Sequence, residues 1–558
     1  MSLETANREP SRFLNGEGCH MPLSNSCPAV PDLGGVSEGD RTGRADRVSR
    51  ENSSGASATQ PAGRDGKPTE PAQAAGEVGV PRSSVDPSDS KTDGERRRGT
   101  WVNACGHGEG RDDGRTAVAT LFDRITTPPK VQKLQRTLYR KAKAVPGYRF
   151  YSLYGELLRR DVIETAMSAV AGNAGAAGVD GQECTAYTRS DEAWNQWGDT
   201  LLEELRTKTY RPSPVRRVRI PKGDGKTRPL GIPTVKDRVV QTAVAMLLLP
   251  VWEADSHSQS YAYRPQRNAH QAMDAIKAAL LSGRTEVIDA DLSGYFDSIP
   301  HRELLRLVAR RVSDGRILAL IKAWLRAPIV ERDSKTGRPT ITGNRRGTPQ
   351  GGVISPLLAN LYMNRLDWQV NERCDLCPTM VRYADDFVIL SRPGQGAELM
   401  GRLKRWLEAH GLTLNETKTR LLDVRQEGFK FLGFGVSWRR GKSGRNYPHV
   451  EPHPKSQKKL RDKLREKLNH WTLWRAADEV IPEVNRLLKG WGGYFHYANS
   501  TRVFDRLNQY AANRLQRWLW RKSGCTKPLW AANPREVLQE RYGLYRLPSR
   551  AAWTQARA

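Results

Sequence analysis

The sequence predicts an α+β protein with a disordered N-terminal leader, a central region of short strands interleaved with helices, and a basic all-helical region toward the C-terminus. Three observations carry this. Residues 1–115 show apolar periodicity of neither helical nor strand type, residues 201–445 alternate β-branched runs with longer helical runs, and the chain after Pro454 is almost wholly helical in pattern. The charge balance adds a partner class. The 558 residues hold 90 Lys plus Arg against 61 Asp plus Glu, a net charge of +29. Residues 1–115 hold 15 basic against 18 acidic residues, so the excess of +32 lies on 116–558, the part that looks folded. A polyanion is therefore the expected partner.

The same arithmetic excludes other classes. Mean hydropathy is −0.66 and no window of about 18 apolar residues occurs, which rules out an integral membrane protein. The longest apolar run, Val239 to Trp252, is interrupted by Gln241, Thr242 and Pro250. Seven scattered cysteines make no disulfide framework, and the N-terminus lacks a basic stretch followed by an apolar one, so a cytoplasmic protein is expected.

Taken in order, 1–115 is rich in Gly, Ser, Pro, Asp and Arg and cannot bury enough apolar surface to offset its ordering entropy. A helical extension, 116–200, follows with candidates at Lys130–Val145 and Leu153–Val170 and a Gly/Ala-rich break at Gly172–Gly181. Val215–Pro221 and Glu286–Leu292 read as strands, Arg238–Leu249, Arg302–Val312 and Ala397–His410 as helices, and Met380–Leu390 as strand, turn and strand. Helices packed on one face of a small antiparallel sheet are the expected arrangement. Residues 446–525 read as a helical basic domain and 526–558 as a basic tail.

The chemistry sits in acidic exceptions to the basic background. The strand Val287-Ile-Asp-Ala-Asp291 ends on two acids, and Arg382-Tyr-Ala-Asp-Asp-Phe-Val-Ile-Leu390 sets an Asp pair between two apolar halves. Adjacent aspartates in an apolar setting are costly without a compensating cation. Asp385-Asp386 alone reads equally well as a hairpin turn, for which Asp is favoured. Beside them runs a basic hairpin, Arg216-Arg-Val-Arg-Ile-Pro-Lys-Gly-Asp-Gly-Lys-Thr-Arg228, whose Lys222, Lys226 and Arg228 suit phosphate; a solvated surface hairpin is the plain alternative.

Tyr-Ala-Asp-Asp between strand halves, with Asp291-x-x-x-x-Phe296 lying 94 residues earlier, resembles the paired metal motifs of reverse transcriptases, and specifically the reverse transcriptase/maturase proteins of bacterial group II introns. The resemblance implies a right-hand polymerase, fingers and palm over 201–445, followed by an all-α thumb/maturase domain. It implies two Mg²⁺ ions, replaceable by Mn²⁺, at Asp291, Asp385 and Asp386. It implies nucleotide contacts from Lys222, Arg228, Gln350 of the Arg346-Gly-Thr-Pro-Gln-Gly-Gly352 loop and Lys418 of Leu414-Asn-Glu-Thr-Lys-Thr419. Phe296 would exclude a ribose 2′-hydroxyl, although a Phe beside Tyr295 also reads as core. Phe429-Lys-Phe-Leu-Gly-Phe434 resembles the hairpin that grips the primer, or three core Phe residues.

Residues 451–525 hold 16 Lys plus Arg against 7 Asp plus Glu among ten aromatics, a combination suited to RNA, although most of those rings read as core. Lys458, Lys459, Lys463 and Lys467 are the candidate RNA contacts. Implied partners are the cognate intron RNA, template RNA, DNA target or primer and dNTPs, with no membrane; a homodimer is compatible. Such a protein would work in the bacterial cytoplasm at the nucleoid. Only 33 residues follow Cys525, too few for the endonuclease that many relatives carry, so an endonuclease-lacking type is expected. Cys374-x-x-Cys377 has no second pair to complete a zinc site. The rival readings are a retron, diversity-generating or defence-associated reverse transcriptase, a splicing-only RNA-binding cofactor, and an RNA-templated RNA polymerase.

Overall fold

In the computed structural model, residues 127–221, 227–333, 336–524, 526 and 535–549 are described; the predicted leader and Lys222 lie outside them. The described residues belong to a single unit that starts at Arg98. The helical extension is present as Pro129–Ala144, Leu153–Leu157 and Arg160–Gly172. The second predicted helix is thus split. Arg159 is extended at the break and binds both Glu156, at 3.0 Å, and Asp161, so the carboxylates on either side share one guanidinium.

The central helix runs further than its periodicity indicated, from Val235 to Asp255, through Pro250. The Thr234 side chain accepts from the Asp237 amide and starts it. A proline inside a helix costs about 3 kcal/mol. Here the helix is buried on nearly every side, by Pro129–Ala144 and Arg160–Gly172 among others, and packing outweighs that cost.

Eleven strands occur among the described residues: β1 (Val215–Pro221), β2 (Thr227–Ile232), β3 (Glu286–Ala290), β4 (Ile329–Arg332), β5 (Pro339–Thr342), β6 (Thr379–Tyr383), β7 (Asp386–Ser391), β8 (Arg420–Asp423), β9 (Phe429–Phe431), β10 (Phe434–Arg440) and β11 (Asn446–Pro452). They make three sheets: β2-β1-β4-β5, with β1 and β4 parallel, the antiparallel β6-β7-β3-β8, and β11-β10-β9.

The second sheet differs from expectation in being covered on both faces. Ile288, Ala290, Phe387 and Ile389 join one core with helices Ser355–Asn371 and Gly396–Ala409. Val287, Val388 and Leu390 join another with helix Ala269–Leu281, the third sheet and the C-terminal helices. The continuous runs Val287-Ile288 and Phe387-Val-Ile-Leu390 carry that signal, since strands buried on both sides do not alternate.

The expected boundary after residue 445 falls at the turn between β10 and β11, whose seven paired positions run from Phe434–Pro452 to Arg440–Asn446. Beyond it stand helices Pro454–Lys467, Ala477–Phe495 and Thr501–Ser523. Of the ten aromatics in this region eight are buried or half-buried, and Trp471 and Trp474 are exposed. Among the described residues no helix is long and apolar enough to cross a membrane.

Candidate active site

The acids meet because strands have a period of two. In the β3–β7 register Asp289 faces Val388 and Ala290 faces Phe387, so the next pair in line is Asp291 and Asp386. Asp289, Asp291 and Asp386 therefore share a face, and all three line a cleft of about 750 Å³. Tyr383 pairs with Asp386, which leaves Ala384 and Asp385 as a two-residue turn. Ala384 sits at φ 64°, a left-handed conformation that a non-glycine residue adopts at a cost.

Crowding of these acids shows in their proton affinities. Asp386 opens into the cleft but is packed by protein elsewhere, and burial together with Asp385, Asp291 and Asp289 pushes its pKa up to about 7. Burial also raises Asp289, against the opposing pull of Arg420, whose guanidinium stands 3.5 Å away. The Lys418 ammonium lies 2.9 Å from an Asp291 oxygen that also accepts from Asn415 at 3.1 Å. The segment 413–415 runs beside 291–293 through backbone hydrogen bonds, which delivers Lys418 there.

A divalent cation fits this donor set. The oxygens are hard, and they repel one another until a cation joins them. Among the described residues no three His, Cys, Asp or Glu side chains are gathered into a closed metal cage.

Beneath the turn lies a residue that sequence reading passed over. Arg382 is 1% exposed and uses its whole guanidinium: Nε donates to Asp367 Oδ1 at 2.7 Å, Nη2 to Asp367 Oδ2 and to Ser260 Oγ at 2.7 Å, and Nη1 to Asn360 Oδ1 at 2.8 Å and to the Ala384 carbonyl at 3.0 Å. The last bond holds the turn itself. Its only sequence signal was an arginine two residues before Ala384 in an otherwise apolar strand. Asp289 was visible as the acid two residues before Asp291, and period two alone places it in the cleft.

Arg228 of β2 donates from Nε to Gln350 Oε1 at 2.8 Å, so two predicted nucleotide contacts are in one hydrogen bond. The loop beside them is built on glycine. Gly351 has φ 105°, and a Cβ there would lie 2.3 Å from the Gly231 carbonyl oxygen. Gly347, at φ 82°, would place a Cβ 2.6 Å from the Phe296 carbonyl oxygen, and the Thr348 amide donates to that same oxygen at 2.7 Å. The loop thus clasps β2 on one side and the Phe296 segment on the other. Phe296 itself is 6% exposed, in the first core, edge-on to Tyr295 at 5.5 Å. Packing is its visible role.

The β9–β10 hairpin forms a wall of the cleft. Phe429, Phe431 and Phe434 are buried and Lys430 is exposed, and Phe429, Lys430 and Phe431 all line the cleft, so the motif is core and cleft wall at once. Helix Pro454–Lys467 starts at this wall and turns Gln457, Leu460 and Leu464 inward, leaving Lys458, Lys459 and Lys463 exposed. Lys467 departs from expectation. It is half-buried, 3.0 Å from Glu483, whose pKa Arg475 and Lys467 pull down to about 2. Its charge is committed inside the domain.

The family model "Reverse transcriptase (RNA-dependent DNA polymerase)" matches residues 220–436, and "Group II intron, maturase-specific domain" matches 457–534. Protein YkfC of Escherichia coli (strain K12) is 33% identical over 356 residues, covering 56% of this chain and 90% of that protein. The group II intron-encoded protein LtrA of Lactococcus lactis subsp. cremoris is 36% identical over 221 residues, covering 39% of this chain. This chain belongs to the group II intron reverse transcriptase/maturase family. It spans only 35% of the length of LtrA. A solved apo telomerase from Candida tropicalis, truncated from its C-terminal domain, overlaps 44% of this chain and 58% of its own at 14% identity and a TM-score of 0.33. As a member of this family the chain is an RNA-directed DNA polymerase by class, divalent-metal dependent, with nucleic acids and intron RNA as its partners.

Proposed function

We propose that the chain copies RNA into DNA in the cleft between β3, β7 and the β9–β10 hairpin, and that its helical region binds the cognate group II intron RNA to assist splicing and mobility. What supports the first part is the set of carboxylates on one sheet face, lining one cleft, together with the hydrogen bond that joins Arg228 to Gln350. Asp291, Asp385 and Asp386 would hold two Mg²⁺ ions, or Mn²⁺ in their place. Bound there, they supply activation of the primer 3′-hydroxyl and stabilisation of the leaving pyrophosphate.

The protein's own groups do the rest. Arg228, with Lys222 from the same hairpin sequence, takes the triphosphate, and Gln350 positions both Arg228 and the nucleotide. Lys418, whose ammonium pairs with Asp291, would serve the incoming nucleotide phosphates. Lys430 faces the primer backbone. Phe296 would limit the space at the sugar 2′ position from within the core. Lys458, Lys459 and Lys463 meet RNA phosphates, while the RNA carries out the splicing chemistry.

The deciding experiment compares wild type with the Asp385→Ala, Asp386→Ala double variant. Complementary DNA synthesis should fall about a thousandfold or more, because metal stabilisation of the transition state is worth several kcal/mol. Intron binding and protein-assisted splicing should persist. Surviving DNA synthesis would remove the active-site assignment; splicing indifferent to the wild-type protein would remove the maturase half.

A further inference from the structure

The helical region carries a feature that polymerisation does not use. Trp471 and Trp474 are 74% and 82% exposed, the two most exposed large apolar side chains among the described residues. They lie on the short connection between helices Pro454–Lys467 and Ala477–Phe495. The connection is a 3₁₀ turn, His470–Thr472, continued by Leu473 at φ −64° and ψ −25°. A 3₁₀ winding eclipses positions i and i+3, and Trp471 and Trp474 stand three positions apart along this turn.

Exposure here does not come from slack. Asn469 and Thr472 cap the turn reciprocally, and the Trp518 Nε1 donates to Thr472 Oγ1 at 3.0 Å. Arg514 Nη2 donates to the Leu468 carbonyl at 2.6 Å, and Lys522 Nζ to the Leu473 carbonyl at 2.8 Å. The backbone is pinned at both ends while its two largest side chains stand in water. Such a turn is ready for a flat apolar ligand, since little ordering remains to be done on binding.

The surroundings name the ligand. Lys522 and Arg514 reach into the turn, and residues 451–525 hold 16 basic against 7 acidic residues. Rings framed by cations suit a strand whose bases are free to stack and whose phosphates are negative. A duplex, with its bases already stacked, offers mainly its backbone. A membrane interface is met by a broad apolar helix face, which two rings on one turn do not provide.

We propose that Trp471 and Trp474 form a stacking platform for unpaired nucleobases of the RNA held by the helical region, a proposal that rests on the RNA-binding reading given above. The test uses the full chain and fluorescence anisotropy of labelled oligouridylate RNA, with a blunt RNA duplex of equal length as comparison. Trp471→Ala and Trp474→Ala should each weaken single-strand binding about 5- to 150-fold, the equivalent of about 1–3 kcal/mol per stacked base. Duplex affinity, the salt slope and thermal stability should stay as in wild type, and Trp471→Tyr and Trp474→Tyr should restore most of the loss.

Unchanged single-strand affinity in a wild type that does bind RNA overturns the platform and leaves the RNA-binding reading standing. A wild type that binds neither RNA overturns both. Equal loss on strand and duplex together with a lower melting temperature makes the tryptophans structural and overturns the platform. So does loss of binding to phosphatidylserine vesicles with RNA affinity untouched.

Discussion

The palm and the helical region use cations in opposite ways. Arg382 and its partner Asp367 are each 1% exposed, and every donor of that guanidinium is engaged. Lys458, Lys459 and Lys463 stand in solvent on one helix whose other face is Leu460 and Leu464. An internal cation fixes where something is, because it cannot move without losing bonds that water will not replace. A surface cation sets attraction, which salt weakens and which no single residue dominates. A charge excess counted along the chain mixes these two uses, and only burial separates them.

Breaking the internal use should have the largest effect. Arg382→Met leaves Asp367 buried without its partner and should cost about 3–5 kcal/mol, read as a lower melting temperature. The double variant Arg382→Met, Asp367→Leu should recover much of that stability but not DNA synthesis, since the Ala384 carbonyl still lacks its donor. Equal recovery of both would reduce Arg382 to a packing residue.

Phe296→Ala comes next. Removing a buried ring should cost about 3 kcal/mol. If the ring also guards the sugar, ribonucleotide incorporation at a temperature where the variant is folded should rise relative to dNTP use. Stability loss with sugar discrimination unchanged would assign Phe296 to the core alone.

The smallest effects belong to the surface. Changing Lys458, Lys459 and Lys463 together to Gln should lower RNA affinity and flatten its dependence on salt by about 0.7–0.9 for each phosphate no longer neutralised. Lys467→Gln should leave that slope alone and instead reduce stability near neutral pH. A slope change from Lys467 as large as from its neighbours would erase the contrast between displayed and committed cations.

Much of this was legible because local signals and the fold agree. Strand β1 has the bounds that its β-branched run gives, and the acids of β3 and β7 follow from a period of two. What escaped depended on distant partners. Helix Val235–Asp255 passes through Pro250 because neighbouring helices bury it, which no window of its own residues reports. The role of Arg382 needs Asp367, Asn360 and Ser260, far away in sequence and adjacent only in the fold. Lys467 and Lys463 look alike along the helix, and Glu483 alone sets them apart. That Gly351 of the Gln350 loop is needed for a close approach to β2 could be seen only with β2 in place.

The pairing of β3 with β7 also works as a safeguard during assembly. Slipping β7 by one residue against β3 would turn Asp386 toward the core that holds Ile288, Ala290 and Ile389, and would move Phe387 to the face that bears the cleft. Such a chain would face buried unpaired charge and would not persist as a folded molecule. A polymerase with its acids slightly out of place, copying slowly and wrongly, is thereby removed from the accessible states. Quality control of the copying machine is written into the same alternation that makes it.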